Sequence, residues 1–315
     1  MAYIGIDIGG TQVKFGLVSQ DGCVSKTMAF DVAFDGYETP IMDTVMEKLV
    51  WYMQEYQLTE QNIQGIGVSA TGQIDVVNGV VAGTAGHIKN WDGCRIKDRI
   101  KEVYQGPVSV MNDANCAALA EQWLGGAKGV GNAVLITVGT GIGGGIIVDS
   151  QILCGSRGFA GEIGHFTIRN NGIKCTCGNR GCYERYGSTT ALVKAVKSAV
   201  KKGSIPEELF EGKAINGKTI FEKIAQNQEL AKLVDKWIGH VADGVVSLVH
   251  IFNPQVVLVS GGVSAQKEKF IDPLREKILS IALPQTAKGL RVEAAKMGND
   301  AGLVGAVYYC ITHGN

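Results

Sequence analysis

At 315 residues the chain is too long for one ordinary core and suits two domains or lobes. Its 30 basic and 30 acidic residues cancel, which argues against nucleic acid or an anionic membrane surface as partner. No apolar run reaches the ~18–20 residues of a membrane span, and the start carries no signal-peptide features, so a cytoplasmic setting is expected.

The pattern predicts strands over residues 3–8 and 13–18, joined by the tight turn Gly9-Gly10-Thr11, and a third strand over 24–32. Helical spacing runs from Ile41 to Met53, with Thr39 as the expected N-cap and Pro40 in the first turn. A strand over 63–69 leads into a loop bearing Gly72, Asp75 and Gly79. A short buried strand over 108–111 breaks at Asn112-Asp113, where a helix begins near Ala114. Strands over 133–138 and 145–148 form a second hairpin around residues 139–144. Helices are expected over 191–201, 231–252 and 267–282, a strand over 256–260, and a last helix from about Ala301. Ala301-Gly302-Leu303-Val304-Gly305-Ala306 opens that helix with small residues suited to close packing between lobes. Strands with glycine turns followed by alternating helices and strands, twice over, indicate an α/β architecture with two related lobes.

Forty-three glycines against six prolines, clustered at turns, mark places where a ligand or a strand comes close. Both glycine corners return as strands, whereas a dinucleotide loop opens a helix, so a Rossmann reading is disfavoured. Successive amides in a glycine turn form an anion-binding nest, and two such turns would grip a polyphosphate from both sides. Asp7, just before the first turn, suits the waters of a phosphate-bound Mg²⁺, or simply caps the turn. Asp113 ends an apolar strand, where open α/β sheets place ligand contacts. It reads equally as a general base for a sugar hydroxyl, with Asn112 orienting a second hydroxyl, and as a plain helix cap. His165 with Cys175, Cys177 and Cys182 makes a Cys₃His set suited to structural zinc; a redox cluster and unrelated buried thiols are the other readings. Glu162 and Glu184 flank that set and would be held rigidly by it, as hydroxyl-recognising carboxylates or as solvated ones. Gly261-Gly262, after the strand over 256–260, would let an adenine ring lie on bare backbone, or would form a plain strand exit. His87, His240, His250 and His313 lack a partner pattern and read as structural or surface residues.

Together these residues resemble the ROK family of sugar kinases and repressors, over almost the whole chain from Asp7 to Ala306. Asp7-Ile8-Gly9-Gly10-Thr11 and the run from Thr137 to Gly145 are similar to its two phosphate motifs, and Asn112-Asp113-Ala114-Asn115 to its catalytic segment. Gly161-Glu162-Ile163-Gly164-His165 and the Cys175–Cys182 cluster match its zinc and sugar signature. The resemblance implies a ribonuclease-H-like, actin-like ATPase fold with two lobes and an active-site cleft between them. The small lobe is expected over 1–114 plus 301–315, and the large lobe, with the zinc, adenosine and dimer contacts, over 115–300. The implied activity is ATP-dependent phosphorylation of a hexose at its 6-hydroxyl, with Mg²⁺, a structural Zn²⁺ and a homodimer.

Carried over by position, Asp113 becomes the general base, and Gly72, Asn112, Glu162, His165 and Glu184 become sugar contacts. Asp7, Gly9, Gly10, Thr11, Thr140 and Gly141 serve the phosphates, Gly261 and Gly262 the nucleoside, and His165, Cys175, Cys177 and Cys182 the zinc. The chain departs from the family pattern at Gln12, at Ser69-Ala70-Thr71 and at Tyr183, which leaves the sugar open. Glucose leads, N-acetylmannosamine follows, and fructose and β-glucosides are less favoured. The family's repressors carry an N-terminal helix-turn-helix, for which the first motif's position in the first strand leaves no expected room. A catalytically silent sugar sensor is the remaining alternative of another class.

Overall fold

The computed structural model describes residues 2–33, 35–84 and 88–314; His87 lies outside them. The chain forms two compact units: Met1–Gly129 with Ile152–Gly161 and Lys296–Asn315, and Val130–Gln151 with Glu162–Ala295.

In the first unit, β1 (Ala2–Ile8) and β2 (Gln12–Ser19) pair antiparallel, with Ile8 opposite Val13, so the turn is residues 9–12. β3 (Val24–Asp31) adds an exposed edge to β2. Helix α1 (Ile41–Glu55) lays Val45, Leu49 and Tyr52 on the core. The expected Thr39 cap is not formed. Its amide and hydroxyl both donate to Asp35, and the helix instead starts after Pro40, whose fixed φ suits a helix start. β4 (Ile63–Ala70) lies parallel to β1, followed by the small hairpin of β5 (Gln73–Asp75) and β6 (Val80–Gly83). After α2 (Ile96–Lys101), β7 (Val108–Asn112) completes a sheet of order β3-β2-β1-β4-β7.

Helix α3 (Asp113–Trp123) and the C-terminal helix (Ala301–His313) pack together, and the latter also lies on β1 and β4. The contacts are between backbones. A Cβ on Gly305 would stand 1.7 Å from the Cys116 carbonyl oxygen, and one on Gly67 would stand 2.3 Å from that of Ala306. The small residues at the start of the C-terminal helix therefore serve packing inside the first unit. For the same reason α3 belongs to that unit, which extends to Gly129 and not to residue 114.

The second unit repeats the plan, with β8 (Ala133–Val138), β9 (Ile142–Val148) and β10 (Gln151–Ile152) beside later parallel strands. β9 starts at Ile142, earlier than residue 145, because Val138 pairs with Ile142 and Thr137 with Gly143. Its glycines are strand residues that make room: a Cβ on Gly144 would meet Ile163 at 2.2 Å. Short α4 (Glu184–Gly187) leads to α5 (Thr189–Lys201), capped by Ser188, and then α6 (Gly217–Lys223), capped by Asn216. The 25-residue α7 (Gln228–Phe252) buries Val234, Trp237, Val241 and Val245. β11 (Val256–Ser260), α8 (Asp272–Ile281) and β12 (Arg291–Ala294) follow. The expected helix over 267–282 is a π-helical turn over Lys267–Ile271 and then α8, which Pro273, lacking an N–H to donate, begins anew. The strand order, β10-β9-β8-β11-β12, matches the first sheet position by position. Among the described residues no helix is long and apolar enough to cross a membrane.

Gly305→Ala is expected to cost about 3 kcal/mol or more in urea unfolding, since it meets backbone that cannot swing away. Gly239→Ala, in α7 with nothing near its Cβ position, is expected to gain up to about 1 kcal/mol. Equal midpoints for the two variants would refute the backbone-contact account.

Candidate active site

Parallel pairing in the first sheet brings three strand ends to one edge: Asp7 lies opposite Ser69, and Ala70 opposite Asn112. The carboxyl ends of parallel strands are where α/β sheets hold ligands. Asp7 accepts a 2.6 Å hydrogen bond from the Ser69 hydroxyl. Burial pushes its carboxyl above the ordinary value, with the Ser69 bond and the Lys14 ammonium pulling the other way. Lys14 itself pairs with Asp300 at 2.6 Å. Gly302 is glycine because a Cβ there would lie 2.5 Å from the Asp7 carboxyl carbon. In the adjoining turn Gly9 donates to the Gln12 carbonyl, whereas the amides of Gly10 and Thr11 have no backbone acceptor among the described residues. The turn thus offers an anion two amides, and Gly9 serves its shape.

The two readings of Asp113 separate at the next position. Asn112 is the cap: its Oδ1 accepts from the amides of Ala114 and Asn115, and its Nδ2 donates to the Gly72 carbonyl at 2.9 Å. Asp113 is the first helical residue, exposed, with its Oδ1 accepting the Ala114 amide at 2.7 Å. Asn112 has one amide hydrogen left for a ligand. Gly72, at φ 100°, presents its carbonyl to Asn112 and packs a backbone too tight for a Cβ against Thr84.

In the second unit Ser260 lies opposite Thr137, so the turn of residues 139–141 and the exit at Gly261-Gly262 share an edge. Gly139 donates to Gly141, again leaving the next two amides, of Thr140 and Gly141, without a backbone acceptor among the described residues. Gly261, at φ 96°, sits so close to Val138 that a Cβ would be 2.3 Å from its carbonyl oxygen. Gly262 and Val263 line a pocket of about 560 Å³ together with Val138, Thr140, Lys194, Lys197 and Lys218. Apolar and glycine backbone beside three cations suits a nucleoside with its phosphates. The lysines of α5 and α6 were not anticipated from sequence. Lys194 and Lys197 do stand one helical turn apart behind the Ser188 cap, a signal that could have placed them on one face.

His165, Cys175, Cys177 and Cys182 meet with all ligand atoms within 4.8 Å of one another. The Cys177–Cys182 sulfur separation is 3.6 Å and the Cys175 Sγ to His165 Nδ1 separation 3.8 Å. A tetrahedron with Zn–S bonds of about 2.3 Å has edges of about 3.8 Å. The donor chemistry agrees with a metal: burial pushes the Cys175 and Cys182 thiols up, while the Asn179 amide pulls that of Cys177 down, and a cation would hold all three as thiolates. Gly181, at φ 80°, passes under the Arg169 carbonyl where any Cβ would collide at 1.8 Å.

Glu184 connects the cluster to the turn of residues 139–141: its Oε1 accepts from Cys175 Sγ at 3.4 Å, and its Oε2 stands 2.7 Å from the Cβ position of Gly141. Glu162 is exposed ahead of the 3₁₀ turn Ile163–His165. Tyr183 is fully buried, donates to the Val241 carbonyl at 2.8 Å, and fills the space left by Gly244 of α7. The structure thus gathers Asp7, Gly9, Gly10, Thr11, Gly72, Asn112 and Asp113 in the first unit, and the remaining predicted residues in the second.

A profile of the ROK family matches residues 3–313. A glucokinase of Thermotoga maritima is 31% identical over 307 residues, covering 96% of this chain and 95% of that protein. A xylose repressor of Caldicellulosiruptor bescii is 30% identical over 321 residues, covering 98% of this chain and 78% of the repressor. The crystal structure of a ROK family glucokinase from Streptomyces griseus, in complex with glucose and AMPPNP, has a TM-score of 0.80 at 30% identity, covering 97% of this chain and 98% of that one.

Burial of Asp7 makes a stability forecast with a definite sign. A carboxyl whose folded pKa exceeds its unfolded value of 3.8 binds more protons folded than unfolded between the two, so stability falls as pH rises through that window. Asp7→Asn should therefore raise the unfolding free energy at pH 7, with the gain shrinking as pH drops toward 3.8, while turnover is lost. A variant less stable than the parent at pH 7 would contradict this.

Proposed function

Since the chain belongs to the ROK family, we propose that it transfers the γ-phosphoryl group of ATP to the 6-hydroxyl of a hexose, with glucose the leading acceptor. It has the family's actin-like ATPase fold, seen in the matching strand orders of its two sheets. The observation that carries the reading is the end of β7. Asn112 is the cap of α3, and the exposed Asp113 carboxylate stands beside it at the carboxyl edge of the sheet, its Oδ1 on the Ala114 amide.

In this reading Asp113 takes the proton of the sugar hydroxyl as its oxygen attacks the γ-phosphorus, and the bond to the β-phosphate bridging oxygen breaks to release ADP. The amides of Gly10, Thr11, Thr140 and Gly141 receive the charge that develops on the phosphoryl oxygens. Asp7 would hold waters of a magnesium ion, which would offset part of the charge of the triphosphate. Glu162, His165, Glu184, Asn112 and the Gly72 loop hold the sugar hydroxyls, and Gly261-Gly262 face the nucleoside. The spacing of the Cys₃His set supports a structural zinc, which His165, Cys175, Cys177 and Cys182 would hold and which would fix the segment leading from Cys182 into Glu184.

Asp113→Asn is expected to lower kcat by about 10²–10⁴, with sugar affinity kept within a few-fold. A coupled ADP-release assay over glucose, N-acetylmannosamine, N-acetylglucosamine, mannose, fructose and a β-glucoside measures it. Near-normal turnover would remove Asp113 from its role. Elemental analysis should find one zinc per chain, and Cys177→Ala should lose it and lower Tm by about 10 °C or more. A metal-free parent protein of unchanged Tm would discard the zinc assignment.

A further inference from the structure

We propose that a second pocket on the large unit, beside the phosphate turn, binds the phosphate group of a phosphorylated sugar. The pocket, of about 330 Å³, is lined by Thr140, Ile173, Glu184, Arg185, Thr190 and Lys194 among others. Arg185 is its distinctive member and is absent from the nucleotide pocket. Its Nε is fully buried and has no hydrogen-bond partner, and neither it nor Lys194 stands in an ion pair among the described residues.

A half-buried guanidinium that stands in no ion pair among the described residues attracts an anion entering the pocket it lines. Phosphate fits best, because the planar fork of arginine matches two phosphate oxygens while the lysine adds a point charge. Two cations face one carboxylate, that of Glu184, so a dianion is still attracted. Glu184 repels a bare anion but accepts from hydroxyl donors, which favours a phosphate attached to a polyol. The exposed Ile173 side chain offers an apolar wall for the carbon skeleton.

Thr140, Thr190 and Lys194 line both pockets, so an occupant of one competes with the nucleotide phosphates for the same groups. The product of a sugar kinase would then oppose ATP binding through Arg185, a residue without a part in the transfer itself. The sugar-phosphate identity rests on the kinase reading; the binding site does not, and the experiment measures binding without turnover.

Calorimetric titration of the zinc-containing protein with glucose 6-phosphate, inorganic phosphate and AMP-PNP tests it. The parent should bind glucose 6-phosphate more tightly than inorganic phosphate. Arg185→Gln should weaken glucose 6-phosphate by about tenfold or more and leave AMP-PNP within about twofold. Arg185→Lys, which keeps the charge and loses the fork, should fall between, and unchanged zinc content in both variants shows the fold is retained. Inorganic phosphate binding as tightly as glucose 6-phosphate would overturn the sugar assignment. Unchanged glucose 6-phosphate affinity in Arg185→Gln, or an equal loss for AMP-PNP, would overturn the site.

Discussion

The C-terminal helix meets β4 and α3 at backbone distance, and the acidic edge of the first unit depends on that approach. Gly67 and Gly305 permit it, since a methyl group at either position would overlap a carbonyl. The same helix presents Gly302 to Asp7 and the preceding Asp300 to Lys14, so one packing event sets the buried carboxylate and its cationic neighbour. It also sets α3, whose first turn carries Asp113. Side chains tolerate adjustment by rotamer changes; touching backbones do not, and the geometry at this edge inherits that stiffness.

Asp7 shows what such positioning costs. Its carboxyl is held where burial opposes its charge, and one serine hydroxyl and a lysine offset only part of the penalty. Sites that accept this kind of local cost are those where a charge is needed for chemistry. In the second unit the corresponding rigidity comes from a different source. The cysteines, the left-handed Gly181 and Tyr183 seated on Gly244 fix a segment with little regular structure of its own, and Glu184 leaves it aimed at the Gly141 turn.

The repeated strand order gives the two halves a common logic. In each, an antiparallel hairpin ends in a turn that spends one glycine amide on its own closure and leaves the next two without a backbone acceptor among the described residues. In each, a parallel strand beside it ends at the same edge, in Ser69-Ala70 and in Ser260-Gly261. The pattern is backbone chemistry, which explains why so many of the residues concerned are glycines.

Much of this was legible along the chain. The hairpins, the parallel strands, the Cys₃His set and the strand end at Asn112-Asp113 follow from period, turn residues and ligand spacing, all of which are local. What only the tertiary structure decided involves groups distant in sequence. Whether Asn112 or Asp113 caps α3 turns on a hydrogen bond to Gly72, forty residues away. The unit boundary moved to Gly129 because α3 is held by a helix almost two hundred residues later. Arg185 and the lysines of α5 and α6 look like solvated charges until folding sets them around two cavities that share Lys194. Local chemistry could be read in sequence because it acts between near neighbours; burial and pairing could not, because they depend on which distant backbone arrives.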